Sequence, residues 1–168
     1  MNAIDEFNKL SRSKFIGIFA NIFEKTKWIA EKLYNHRPFD SFEDLCSKML
    51  RIFETTTKEN QLRILKAHPD LADKATVNSL STNSRAEQSN AGLDLCSKEE
   101  FNEFKNLNDE YKKKFGFPFI LAVGGRNKTE ILNKFKKRIL NSADDEFKEA
   151  ISQVCKIANL RLNKINIK

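Results

Sequence analysis

Apolar residues recur along this chain at helical intervals. Phe15, Ile18, Phe19, Ile22 and Phe23 stand at i, i+3, i+4, i+7 and i+8, the stripe that an amphipathic helix turns towards a core, and predict a helix within residues 11–24. Trp28, Ile29 and Leu33 continue into a second helical stretch, which His36-Arg37-Pro38-Phe39 breaks because Pro38 drives Arg37 out of helical backbone geometry. Ser41 followed by Asp44 reads as a helix N-cap, with Phe42, Leu45, Met49, Ile52 and Phe53 as the apolar face behind it. Residues 58–67 form another short helix through Leu62 and Leu65, stopped at His68-Pro69. Residues 73–83, rich in Ser, Thr and Asn, have no period and read as loop. Ser84 with Glu87 and Ser97 with Glu100 fit the S-x-x-E capping box, the first opening a short helix to Ala91 and the second a long one to Lys114. Past Phe115-Gly116-Phe117-Pro118-Phe119, the run Ile120-Leu121-Ala122-Val123 is too short for an ordinary helix and closes on Gly124-Gly125. Helices resume from residue 127 or 128 to about Leu140 and from Asp144 to about Lys164, the last with Phe147, Ile151, Val154, Ala158 and Leu162 as its buried face.

The expected fold class is therefore all-α: one compact, bundle-like domain of roughly eight helices over residues 1–168. Composition agrees. With 40% hydrophobic residues and 14 Phe in 168 residues the chain can fill one core, and 5 Gly and 3 Pro are too few for the turns of a sandwich or barrel. No internal repeat and no linker rich in Gly or Ser divides it. Cys46, Cys96 and Cys155 are odd in number and lie outside any C-x-x-C pair, so they read as reduced, mostly buried thiols, and no metal site is expected. The N-terminus has neither the basic nor the apolar region of a signal peptide, and no apolar run reaches the length that spans a bilayer. The C-terminal Asn166-Ile167-Lys168 does not form a peroxisomal signal. The expectation is a cytoplasmic protein without a membrane partner.

A net charge of +7 attracts anions of any kind. The basic residues alternate with acidic and apolar positions instead of forming a basic arm, which favours a small anion over nucleic acid. Acid/base work near neutral pH falls on few candidates, since His36 and His68 are the two histidines of the chain. His68 sits where Pro69 forces a helix to end, so its side chain projects from a terminus; by itself it reads equally as a capping or exposed histidine. Glu87 has the spacing of a cap with Ser84, Gln88 reads as a polar residue facing solvent, Arg161 as a solvated cation, and residues 115–119 as an aromatic turn that plugs the core.

These pieces occur together in a specific order. Phe15-Ile16-Gly17-Ile18-Phe19, Trp28-Ile29-Ala30-Glu31, Arg37-Pro38-Phe39, His68-Pro69-Asp70-Leu71-Ala72 and Glu87-Gln88 with Ala91-Gly92-Leu93 are followed by Asn108 with Tyr111, Phe115-Gly116-Phe117-Pro118-Phe119 and Ile157-Ala158 with Leu160-Arg161-Leu162. By this ordered set, which covers nearly the whole chain, the sequence resembles the 2-oxo-4-hydroxy-4-carboxy-5-ureidoimidazoline (OHCU) decarboxylases, which complete the conversion of urate to (S)-allantoin. The resemblance implies that His68 is the catalytic acid and that Glu87 acts with it. It implies that Gln88 and Arg161 hold the polar and anionic parts of the substrate, and that Pro69, Ser84 and the backbone of Phe119, Ile120, Leu121, Ala122 and Val123 form the rest of the pocket wall. It also suggests a homodimer.

The reaction so implied needs no cofactor. The carboxylate to be lost stands on a carbon next to a C=N bond, which can receive the electrons that CO2 leaves behind, and the sequence carries neither metal-ligand spacing nor a Gly-rich phosphate loop. A cation to anchor the anion, an imidazole and carboxylate to share protons, and amide donors suffice. An adjacent glutamate would raise the histidine's affinity for its proton and fix its ring. The alternative reading is a catalytically inactive helical relative that serves as a binding module.

Overall fold

The computed structural model describes residues 3–72, 82–93 and 96–166. Among them are nine helices and no strand: α1 (Ala3–Lys9), α2 (Arg12–Phe19), α3 (Lys27–Tyr34), α4 (Phe42–Thr55), α5 (Lys58–Lys66), α6 (Thr82–Asn90), α7 (Lys98–Phe115), α8 (Lys128–Arg138) and α9 (Ala143–Asn166). The chain is all-α, as the periodicity predicts. Helix α1 is the addition: Ile4 is its one buried residue, so it offers no stripe for a periodic reading to find.

Side-chain caps set most of the observed starts. Ser41 Oγ accepts the Asp44 N–H at 3.0 Å, and Asn127 Oδ1 accepts the Glu130 N–H at 2.9 Å. Both halves of the Ser97–Glu100 capping box form. Helix α7 ends at Gly116, whose φ of 81° is the left-handed conformation that glycine adopts without a Cβ penalty. Two expectations need correction. Helix α2 stops at Phe19, so Ile22 and Phe23 are buried from the turn beyond it and not from the same helix. Helix α6 starts at Thr82, which makes Thr82 and Asn83 helical and places Ser84 inside the helix, not at its cap. Ser84 and Gln88 are both buried one turn apart, so a polar face holds this helix in place, and no hydrophobic period could report it. Most of the expected loop, residues 73–81, lies outside the described residues.

The chain divides into two compact units, Met1–Ile64 with Cys155–Lys168, and Leu65–Val154. The first is packed with aromatic rings. Phe15 lies 4.6 Å from Phe19 and 5.6 Å from Tyr34 between ring centroids, and Phe23 lies 5.1 Å from Phe53. Asn8 ties the chain near Phe39 down by accepting its N–H at 2.8 Å and donating to its carbonyl at 2.9 Å. The second unit centres on Tyr111, which is 0% exposed and ringed by Phe115, Phe117, Phe119 and Phe135. Phe119 stacks on Phe135 at 3.9 Å. Each such buried ring contributes roughly 1.5–3 kcal/mol of transfer free energy.

None of the three cysteines is in a disulfide. Burial pushes the Cys46 thiol up to about 11, and burial with the neighbouring Glu54 carboxylate pushes Cys155 up to about 12, so neither is a nucleophile at neutral pH. No described helix is long and apolar enough to cross a membrane.

Ser97→Ala removes a cap and is expected to cost about 1 kcal/mol, measured by urea unfolding. The Ser97 backbone N–H and then Lys128 hold the Glu100 carboxyl below its ordinary value. Its contribution exists while the carboxylate is charged, so wild type and Glu100→Gln converge in stability as pH falls through that lowered value.

Candidate active site

Helix α5 ends because Pro69 lacks the N–H that another turn requires. The His68 N–H closes the last turn on the Leu65 carbonyl at 3.2 Å, and the His68 side chain is buried, 8% exposed. The four residues that follow bend sharply. Ala72 has φ 56°, a left-handed conformation that costs a residue with a Cβ roughly 1–2 kcal/mol and therefore needs support from its surroundings.

That support comes from two amides. Gln88 Oε1 accepts the Ala72 N–H at 3.0 Å, and Gln88 Nε2 donates to the Asp70 carbonyl at 3.3 Å. Asn108 Nδ2 donates to the Leu71 carbonyl at 3.0 Å. Lys112 also reaches Asp70 at 2.7 Å, but with the lysine 41% exposed this pair contributes roughly 0–1 kcal/mol. The turn that carries His68 is thus laced to α6 by Gln88 and to α7 by Asn108.

Glu87 stands on α6 next to Gln88, which ties that helix to the bend. Ser84, Glu87 and Gln88 stand at i, i+3 and i+4 and share a face; Ser84 and Gln88 are buried and Glu87 is half-buried, whereas Arg85, Ala86 and Ser89 are exposed. Because Gln88 grips both ends of the bend, the face that presents Glu87 is fixed against the turn that presents His68.

Residues 119–123 lie beyond α7, outside any helix, and are largely buried: Phe119, Ile120, Leu121 and Val123 are each at most 5% exposed. In an all-helical protein their backbone groups must find partners outside a ladder. Arg138 Nη1 donates to the Ile120 carbonyl, Gln153 Oε1 accepts the Ala122 N–H at 3.0 Å, and Arg126 Nε donates to the Ala122 carbonyl at 3.3 Å. Arg138 is itself gripped by Glu146, whose Oε1 accepts from Arg138 Nε at 2.8 Å, from Arg138 Nη2 and from the Tyr111 hydroxyl, while its Oε2 accepts from Asn141 at 3.0 Å. Burial is the main reason, and the Glu146 carboxylate the next, that the Tyr111 phenol is held far above its ordinary value. Asn108 and Tyr111, one turn apart on α7, thus join the His68 turn to this segment.

Arg161 belongs to the other unit. It is 3% exposed, and its guanidinium donates from Nη1 to the Ile22 carbonyl and from Nη2 to Glu24 Oε1, both at 3.0 Å. It is a buried, oriented cation and not a solvated one. His36 is exposed, its ring nitrogen Nδ1 2.8 Å from the Lys32 carbonyl.

His68, Pro69, Ser84, Glu87, Gln88 and the 119–123 segment therefore all belong to one unit, and Arg161 is buried in the other. Sequence reasoning missed Arg138, Glu146 and Gln153, and met Asn108 only as one mark of a resemblance. A signal existed: each is a polar residue at a buried helical position, Asn108 between Phe104 and Tyr111, Glu146 and Gln153 beside Ala150 and Val154.

A family model described as OHCU decarboxylase matches residues 8–163. The chain is 37% identical over 159 residues to a 2-oxo-4-hydroxy-4-carboxy-5-ureidoimidazoline decarboxylase of Haloferax volcanii, covering 95% of this chain and 93% of that one. It is 39% identical over 165 residues to a uric acid degradation bifunctional protein of Bacillus sp. (strain TB-90), covering 98% of this chain but 32% of that protein's length. Among solved structures, (S)-allantoin synthase superposes with a TM-score of 0.76 at 26% identity, over 96% of this chain and 53% of that one. An OHCU decarboxylase crystallised in the presence of (S)-allantoin superposes with a TM-score of 0.74 at 24% identity, over 90% and 99%, which is a likeness of fold.

Gln88→Leu leaves the Ala72 N–H and Asp70 carbonyl without their amide partner. It is expected to cost about 1–3 kcal/mol in urea unfolding and to perturb the His68 ring resonances in NMR spectra, whereas a change confined to α6 would leave those resonances in place.

Proposed function

This chain belongs to the OHCU decarboxylase family, and on that premise we propose that it is a carboxy-lyase that converts 2-oxo-4-hydroxy-4-carboxy-5-ureidoimidazoline to (S)-allantoin in urate catabolism. The observation that carries the reading is the Gln88 clamp. It holds the face of α6 that bears Glu87 against the bend that bears His68, which is how an imidazole and a carboxylate come to act on one substrate.

In this mechanism His68 and Glu87 share the proton transfers that accompany loss of CO2. An imidazole, with an ordinary pKa of about 6.5, can both give and take a proton near neutrality. When CO2 leaves, its bonding electrons pass into the neighbouring C=N bond, and His68 delivers a proton to one face of the carbanion equivalent, which sets the handedness of the product. Pro69 and Ser84 line the site, Gln88 offers the second Nε2 hydrogen of its clamped amide to the polar end of the substrate, and residues 119–123 offer backbone groups. Arg161, already held by Glu24 and the Ile22 carbonyl, is a guanidinium suited to an anionic group through charge-assisted hydrogen bonds.

The proposal extends to residues 1–168 acting as one domain in a cytoplasmic homodimer, with a small anionic substrate and neither nucleic acid nor membrane as partner. The +7 charge supports an anionic substrate.

Generating the unstable substrate from urate in situ and following circular dichroism reads the reaction directly: one enantiomer of allantoin appears faster than in the blank. His68→Ala is expected to lower kcat by about 10² to 10⁴; near-normal turnover in that variant would remove His68 from the chemistry. Arg161→Lys keeps a charge but loses the planar fork, and is expected to raise KM about tenfold or more with a smaller change in kcat.

A further inference from the structure

Side chains set the direction of the peptides in the 119–123 segment. A trans peptide points its C=O and the following N–H in opposite directions, and the one cis bond among the described residues is Arg37-Pro38. The Ile120 carbonyl is turned to Arg138, so the Leu121 N–H points away from Arg138. The Ala122 N–H is turned to Gln153, so the Leu121 carbonyl points away from Gln153. The Ala122 carbonyl is turned to Arg126, so the Val123 N–H points away from Arg126. The Leu121 N–H, the Leu121 carbonyl and the Val123 N–H are thus each turned away from the side chain that holds the other half of their peptide.

From this we propose that Arg138 and Gln153 are positioning residues that hold the Leu121 N–H and C=O as an adjacent donor and acceptor pair for the urea part of the substrate. The inference rests on the reading of the chain as an OHCU decarboxylase. A urea group carries a carbonyl beside an N–H, so it meets such a pair with two parallel hydrogen bonds: the Leu121 N–H donates to the urea oxygen, and the urea N–H donates to the Leu121 carbonyl. If the peptide between Ile120 and Leu121 turned over, the Ile120 carbonyl would replace the Leu121 N–H opposite the urea oxygen and that contact would become repulsive. Arg138 is what resists that turnover, and Gln153 guards the peptide that carries the Leu121 carbonyl in the same way.

The buried ion pair has no better explanation. Its side chains are 8% and 0% exposed, and a buried pair of this kind is in general no more stabilising than well-packed apolar residues of similar size. Glu146 takes two of the arginine's donors, together with the Tyr111 hydroxyl and Asn141. This leaves Nη1 aimed at a single backbone oxygen, and the planar guanidinium also lies over the Phe119 ring at 4.4 Å. Everything about the arrangement fixes the direction of one carbonyl.

The test separates position from fold. Arg138→Met alone strands a buried carboxylate, so the informative variant is Arg138→Met combined with Glu146→Gln, which removes both charges and keeps an acceptor for Tyr111. With helical circular dichroism and a cooperative melt retained, KM for the substrate and the Kd of (S)-allantoin are expected to rise about tenfold while kcat changes by less than about threefold, the split expected when binding common to ground and transition states is lost. A folded double variant with KM and Kd within about twofold of wild type overturns the inference. If the double variant does not fold, Gln153→Met, with both charges in place, reads the same segment: the same direction of change supports the inference and an unchanged KM overturns it. A wild-type chain that neither turns over the substrate nor binds allantoin would remove the underlying reading, and this inference with it. Wild-type activity beside an unchanged folded variant would remove the inference alone.

Discussion

A buried backbone polar group must find a hydrogen-bond partner, and in a protein built of helices the segments that are not helical have no ladder to supply one. Two such segments are buried in the unit that spans residues 65–154: the bend from His68 to Ala72, and the stretch from Phe119 to Val123. Several of their carbonyls and N–H groups are taken by side chains that helices send to them: Gln88 from α6, Asn108 from α7, Arg138 from α8 and Gln153 from α9. The site is the consequence of that arrangement. Backbone that is held by side chains from several helices is backbone whose exact direction several helices control.

Helix α7 connects the two segments. Asn108 reaches the Leu71 carbonyl, and Tyr111, one turn later, sits against Phe119 and donates to Glu146. Residues three apart on a helix are close neighbours on its surface, so a single rigid element keeps the histidine turn and the 119–123 backbone in register. Loops alone could not hold such groups to the tolerance that oriented chemistry demands.

Strain is used sparingly. The left-handed Ala72 lies directly beyond the residues on which the chemistry is proposed to depend, and the Gln88 amide that accepts its N–H offsets the cost. Glu146 collects four hydrogen bonds from three residues, so the one fully buried carboxylate described in this unit is also the most completely solvated by protein.

The helical class, most of the helix starts and the candidate chemistry are already legible in the order of residues. Helical periodicity and the caps at Ser41 and Ser97 are local properties, fixed within a turn or two of chain, and the structure honours them. The periodic reading ran α2 past Phe19, and it started α6 too late because Ser84 and Gln88 bury a polar face that no apolar stripe announces. An ordered resemblance named His68 and Glu87, while spacing alone read them as caps. The duty of the buried polar side chains is settled by folding alone. That Gln88 spans the bend, that Arg161 is held by Glu24, and that Arg138 and Gln153 orient opposite ends of neighbouring peptides all depend on groups many residues apart in the chain. A hydrogen bond is decided by distance and direction in space, and a pattern of residues along one chain encodes neither.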